Sequence, residues 1–126
     1  MLRISSLALL ALTCAAACGR EAAPIELPQP ISESSPFEFP VALWDQKVEG
    51  ESVLLVHVTA NGQVDSVYIH ESSGHAAFDS AAVAGARALR FRPAYRGDER
   101  IAMWARLPVR FSRNGVTADG LEAVQP

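Results

Sequence analysis

The clearest pattern in the chain is an alternation of apolar and polar positions on either side of an Asn-Gly pair. Ser52–Thr59 and Gln63–Glu71 are rich in β-branched side chains, and Asn61-Gly62 between them is a strong β-hairpin signal. With Asn61 and Gly62 as a two-residue type I′ loop, Ala60 falls opposite Gln63, Val58 opposite Asp65, Val56 opposite Val67 and Leu54 opposite Ile69. One face then carries Leu54, Val56, Val58, Val67 and Ile69 and is the core face. The other carries Val53, Leu55, His57, Ser66, Tyr68 and His70, which is greasier than a solvated face should be.

Downstream the period lengthens from 2 to 3.6. Ser72-Ser73-Gly74 breaks the strand, and Phe78, Ala82, Gly85/Ala86 and Leu89 make one stripe of a helix from about His75 to Leu89. The small residues of that stripe let the helix lie close to a sheet, and Arg87 and Arg90 complement its dipole. Phe91-Arg92-Pro93 stops the helix, and Arg96-Gly97-Asp98-Glu99 reads as a turn. A last alternation, about Ile101–Phe111, turns Ile101, Met103, Ala105, Leu107, Val109 and Phe111 inward and Ala102, Trp104, Arg106, Pro108 and Arg110 outward. Pro108 has no N–H to give a ladder, so this strand is predicted at a sheet edge. Before the hairpin, Pro40–Trp44 opens a short helical segment that Gly50 ends. The order αββαβ predicts an α+β fold: a small antiparallel β-sheet, a β-hairpin plus a C-terminal edge strand, packed against a helix.

Outside residues 41–112 the pattern changes character. Arg3 followed by the apolar stretch Ile4–Ala17, about 14 residues and short of a spanning helix, reads as a cleaved signal peptide over residues 1–17. Ala15-Ala16-Ala17-Cys18-Gly19 resembles a lipobox, so Cys18 is expected to carry the acyl chains, palmitate among them, that anchor the protein to a membrane. The alternative is an ordinary secretory signal cut near Ala17 that leaves Cys18 free. Gly19, rather than Asp, after the cysteine favours the outer membrane under the sorting pattern known for lipoproteins. Residues 18–40, with Pro24, Pro28, Pro30, Pro36 and Pro40, read as an extended Pro/Glu/Ser-rich linker reaching at most about 70 Å. Residues 113–126 have no period and read as a loose tail.

Composition narrows the function classes. The chain has 14 acidic and 11 basic residues, net −3; losing Arg3 with the leader makes the balance 14 to 10, or −4. A mildly acidic chain is a poor nucleic-acid binder, and no nucleic-acid partner is expected. The arginines do bunch in the second half, where a local basic patch or merely solvated faces would account for them. Both cysteines lie in or at the end of the leader, which leaves the folded part without a disulfide or thiolate site. Ser72-Ser73-Gly74-His75 lacks the Gly-x-Ser-x-Gly elbow and reads as a strand end and helix start. His57 and His70 share a face but lie too far apart along it to chelate zinc with His75, and Asp98-Glu99 sits in a turn. With no phosphate loop either, no cofactor, metal or catalytic residue is expected.

Several strings in this order resemble the C-terminal domain of TonB-family proteins. They are Phe39-Pro40, Val48-Glu49-Gly50, Val58-Thr59-Ala60-Asn61-Gly62-Gln63-Val64, Glu71-Ser72-Ser73-Gly74 with Phe78-Asp79, Phe91-Arg92-Pro93-Ala94 and Leu107-Pro108-Val109-Arg110-Phe111. The resemblance spans about Phe39–Ser112 and is carried by the set, not by any one string. It implies a periplasmic binding module, since such proteins link a proton-driven inner-membrane motor to outer-membrane receptors by pairing a receptor peptide with an exposed sheet edge. The cleaved leader and short spacer depart from that arrangement, and energy transduction is not carried over. The expected partner is an outer-membrane receptor peptide or another envelope protein, met at the last strand by Trp104, Arg106 and Arg110. Trp104 has a second reading, as a cap on the sheet's outer face with Tyr68 and Leu55. A structural envelope lipoprotein that contacts peptidoglycan or forms a homodimer is the alternative function.

Overall fold

A computed structural model of the chain describes residues 23–31, 34–118 and 120–124. The leader and Cys18 lie outside these. In chain order the elements are β1 (Ile25–Glu26), β2 (Gln29–Pro30), α1 (Val41–Trp44), β3 (Gly50–Val58), β4 (Val64–Glu71), α2 (Ala76–Ala88), β5 (Phe91–Arg92), β6 (Ala94–Arg96), β7 (Glu99–Ile101), β8 (Met103–Ser112), β9 (Gly115–Ala118) and β10 (Glu122–Ala123). The main elements keep the predicted αββαβ order, and the fold is α+β with antiparallel sheets against one long helix.

The hairpin β3–β4 forms as the alternation requires, with Val56 opposite Val67 and Leu54 opposite Ile69. Its turn differs from the type I′ expectation. The Gly62 N–H donates to the Thr59 carbonyl at 2.9 Å and the Thr59 N–H to the Gln63 carbonyl at 2.8 Å, which makes a three-residue loop, Ala60-Asn61-Gly62. Gly62 has φ +80°, whereas Asn61 is not left-handed, so this is a type I turn closed by a glycine bulge. The Thr59 hydroxyl accepts from the Asn61 and Gln63 N–H groups and holds that shape. One consequence is a shifted register at the turn, where Val58 meets Val64 and not Asp65.

β3 is the centre of the main sheet, paired with β4 on one side and with β8 along its full length on the other. Leu54, Val56 and Val58 from β3, Val67 from β4, and Ala105, Leu107, Val109 and Phe111 from β8 line the covered face. Phe78, Ala82 and Ala86 of α2, with Leu89 just past its end, complete the core, and Phe78 and Phe111 stack at 4.6 Å. Ile69 has the parity of that face but sits on β4, the outermost strand of its side, and stays exposed. The short helix α1 ends at Trp44, ahead of the expected stop. Lys47, at φ 56°, reverses the chain there, and Gly50 starts β3.

Two flanking stretches are more ordered than their composition indicates. Residues expected in an extended linker strap the domain: β1 pairs with β6, β2 with β5, and the Ile31 N–H donates to the Arg90 carbonyl. Phe37 then drops its ring over Gly85, where an added Cβ would lie 2.2 Å from the ring, and Phe39 packs edge-on against Phe78 at 5.3 Å. Two phenylalanines among prolines are enough to fix this segment, because α2 offers them a surface without side chains in the way. The expected loose tail is also paired. β9 adds to Val109–Ser112 and β10 to Ala105–Arg106, while Val116, Ala118 and Leu121 pack against the core.

Candidate functional site

That pairing changes the status of the last strand. β8 was expected at an edge, and its outer side is instead occupied by β9 and β10. The physical reason is the tail's own alternation, in which Val116 faces Phe111 and Ala118 faces Val109 in register, so pairing partly buries both. Pro108 lies in the gap between the two short strands, where the missing N–H costs no ladder bond. On the opposite side of the sheet β4 is the terminal strand.

Trp104, Arg106 and Arg110 all emerge on the outer face of β8, as the alternation predicts. Trp104 lies opposite His57 in register, 5.0 Å between ring centroids, and stacks on Tyr68 at 5.7 Å. The indole remains 39% exposed, so it both caps this face and presents a surface to solvent. Arg106, across from Leu55, approaches the His70 ring at 3.4 Å and the Glu122 carboxylate of β10 at 3.8 Å. Arg110 stands beyond Pro108 and makes two hydrogen bonds to Glu51, at 3.0 and 3.2 Å. Trp104 and Arg106 are therefore neighbours on one patch, and Arg110 belongs to a separate ion pair. On the same patch His57 Nδ1 donates to the Asp65 carboxylate at 2.6 Å. Among the described residues no group of three or more His, Cys, Asp or Glu is placed to hold a metal, and no helix is long and apolar enough to cross a membrane.

One polar cluster was not singled out from the sequence. Asp79, in the first turn of α2, is buried and accepts from the Ser52 hydroxyl at 2.7 Å, the Ser73 N–H at 2.9 Å, the Ser73 hydroxyl at 2.8 Å and the Ser72 hydroxyl. Burial pushes its pKa up, but the donors from Ser72, the Ser73 backbone, Ser52 and the Ser73 hydroxyl outweigh it and hold the carboxyl at about 2. An anion at a helix N-terminus is also favoured by the dipole. The serines point their protons at a carboxylate and have no base to activate them, since the ring of His75 packs on Phe78 at 5.4 Å. The cluster clamps the end of β4 and the start of α2 to β3. Ser52 was the available clue: it shares the parity of Leu54, and a hydroxyl on the core face needs a partner.

Sequence comparisons with known proteins point to one family. The model of the Gram-negative bacterial TonB protein C-terminal matches residues 35–112. Among curated proteins, the chain is 36% identical over 77 residues to protein TonB2 of Pseudomonas aeruginosa, covering 61% of this chain and 28% of that one. It is 35% identical over 80 residues to protein TonB of Xanthomonas campestris pv. campestris, covering 64% and 36% respectively. The matched segment is thus about a third of the length of these relatives. Among solved structures, the solution NMR structure of the Pseudomonas aeruginosa TonB CTD matches with a TM-score of 0.49 and 21% identity, over 80% of this chain and 90% of that one.

Proposed function

The chain belongs to the Gram-negative TonB C-terminal family, and from that premise we propose that it is a periplasmic interaction module anchored through an acylated Cys18, the outer membrane being favoured. It takes an extended peptide from an outer-membrane receptor or another envelope protein by strand addition, in support of TonB-type transport or envelope assembly. The observation that carries this is the outer side of β8. Strands of the chain's own tail add there in antiparallel register, and the piece beside Trp104 and Arg106 is only the two residues Glu122 and Ala123. So short a ladder is easily exchanged for a longer one. A peptide in its place gains main-chain bonds along Met103–Leu107, lays a side chain against the Trp104–Tyr68 stack, and is stopped at Pro108. Glu122 beside Arg106 marks the position where an acidic side chain of the partner fits.

The test is a calorimetric titration of the full chain with periplasm-facing N-terminal peptides of outer-membrane receptors from the same organism. Trp104→Ala is expected to weaken binding by about 2 kcal/mol or more. Because the indole also packs on Tyr68 and His57, Arg106→Ala accompanies it as a variant whose exposed side chain contributes little to stability. Unchanged affinity in both, at unchanged melting temperature, sinks strand addition at this edge. Capture of cell-wall fragments or self-association in place of peptide binding would return the structural-lipoprotein alternative.

A further inference from the structure

Charge is distributed unevenly along the chain. Residues 87–100 hold five arginines (Arg87, Arg90, Arg92, Arg96 and Arg100) against Asp98 and Glu99, a net of +3 in a chain whose total is −3. All five side chains are exposed. The fold sets three of them beside the N-terminal strap: Ile25 lies directly opposite Arg96, Gln29 opposite Arg92, and the Ile31 N–H donates to the Arg90 carbonyl at 3.0 Å. Arg92 lies over the Tyr95 ring at 5.2 Å, and Arg100 is the cross-strand neighbour of that same tyrosine. The local ion pair, Arg92 with Glu26, is stretched to 4.0 Å between two exposed side chains and neutralises little.

The strap itself presents aliphatic side chains to solvent: Ile25 is 47% exposed, Leu27 37% and Ile31 62%. Three exposed aliphatics along one strap, alongside arginines and a tyrosine, combine the two chemistries of a bilayer interface. Chain length sets the direction of approach. Ala23 is five residues from Cys18, so an acyl group there holds the start of the strap within about 18 Å of the bilayer, on the order of two Debye lengths. An extended linker over residues 18–40 would have left the domain free to face any way; the paired strap narrows that freedom.

We propose that the strap and its arginine strip form a membrane-docking surface for anionic phospholipid headgroups of the leaflet that holds the anchor. Arg90, Arg92, Arg96 and Arg100 meet the phosphates, and Ile25, Leu27 and Ile31 lie at the boundary with the acyl chains. The direction of docking rests on the anchoring of Cys18 proposed above; the surface itself does not.

The chain from Gly19 onward contains every element of the fold, including the strap, α2 and the whole core. Its partition onto vesicles of phosphatidylcholine with about a third phosphatidylglycerol, against phosphatidylcholine alone, is read by co-sedimentation. Binding is expected on the anionic vesicles only and to weaken as salt rises. Arg92→Glu with Arg96→Glu should lower it about tenfold or more, and Ile25→Ser with Ile31→Ser several-fold, at unchanged circular dichroism. Lys47→Glu with Arg113→Glu, charges outside the strip, should leave it unchanged. Equal binding to neutral vesicles, no binding to anionic ones, or an equal loss in the Lys47/Arg113 variant overturns the proposal. The soluble chain carries no acyl group, so failure here leaves anchoring standing, while failure to label Cys18 with lipid leaves this measurement readable.

Discussion

Replacing Gly62 by alanine separates two contributions that the hairpin turn combines. Gly62 and Gly74 have nearly the same positive φ, +80° and +88°, so alanine at either pays a similar conformational penalty, about 1 kcal/mol. Their surroundings differ. Nothing lies within 4 Å of a Cβ built on Gly74, whereas one on Gly62 would fall 1.9 Å from the Phe91 carbonyl oxygen. The chain at Phe91 must then withdraw, and withdrawal breaks the bond from the Phe91 N–H to the Gly62 carbonyl, now 2.8 Å. A lost backbone bond is worth about 1 kcal/mol, and dislodging the Phe91 ring from the core adds about as much again. Gly74→Ala should therefore cost about 1 kcal/mol and Gly62→Ala about 3 kcal/mol. In a domain of this size the difference of about 2 kcal/mol separates the melting temperatures by roughly 8–16 °C. Urea titrations followed by circular dichroism, with a common slope for all three proteins, give the free energies directly. Equal losses in the two variants would show that residues 89–93 yield freely, and the contact would then not lock the turn.

Three further outcomes are expected. Asp79 has its pKa lowered in the fold, so it contributes stability above its unfolded value of 3.8 that is lost as pH falls through about 2; up to about 2 kcal/mol should disappear over that window, and Asp79→Ala should remove that part of the pH dependence from urea titrations. Phe37→Ala empties the ring's seat over Gly85 and should cost about 3 kcal/mol by calorimetry; no change in melting temperature would mean that residues 34–40 are a tether after all. Cys18→Ser should abolish incorporation of labelled palmitate and release the protein from membranes washed at high salt, which also strips charge-held docking, whereas retention of the variant after that wash would mean that the leader is an uncleaved anchor.

How much was legible follows from the kind of signal each part carries. Faces are written in periods: the alternation of β3 and β8 and the 3.6-residue stripe of α2 placed Leu54, Val56, Val109, Phe111, Phe78 and Ala82 inward, and all of them are buried. Turns are written less completely. Asn61-Gly62 located the hairpin, but the choice between a two- and a three-residue loop depended on the hydroxyl of Thr59, which holds two N–H groups at 3.2 and 3.3 Å. Edges are hardly written at all. The strap and the tail are held by pairs of two to four residues, too short to show a period, and by single side chains such as Phe37 and Val116 that need a partner surface before they mean anything.

The candidate site inherits that division. Pattern alone placed Trp104 and Arg106 together on the outer face, because faces are legible. Whether the strand bearing them lay open was an edge property, and there the tail intervened. The physics of pairing explains why such a tail is tolerable on the strand proposed to bind a partner. A long hydrophobic edge left bare invites unwanted strands, and a cover of two short strands, interrupted at Pro108, blunts it without burying it. The core stays intact if Glu122–Ala123 leaves, since both residues are exposed and neither contributes to the core packing, whereas β9 carries Val116 and Ala118 against the core and resists removal. The proposed exchange at this edge is therefore confined to the stretch beside Trp104, with Pro108 as its boundary and β9 as the part that stays.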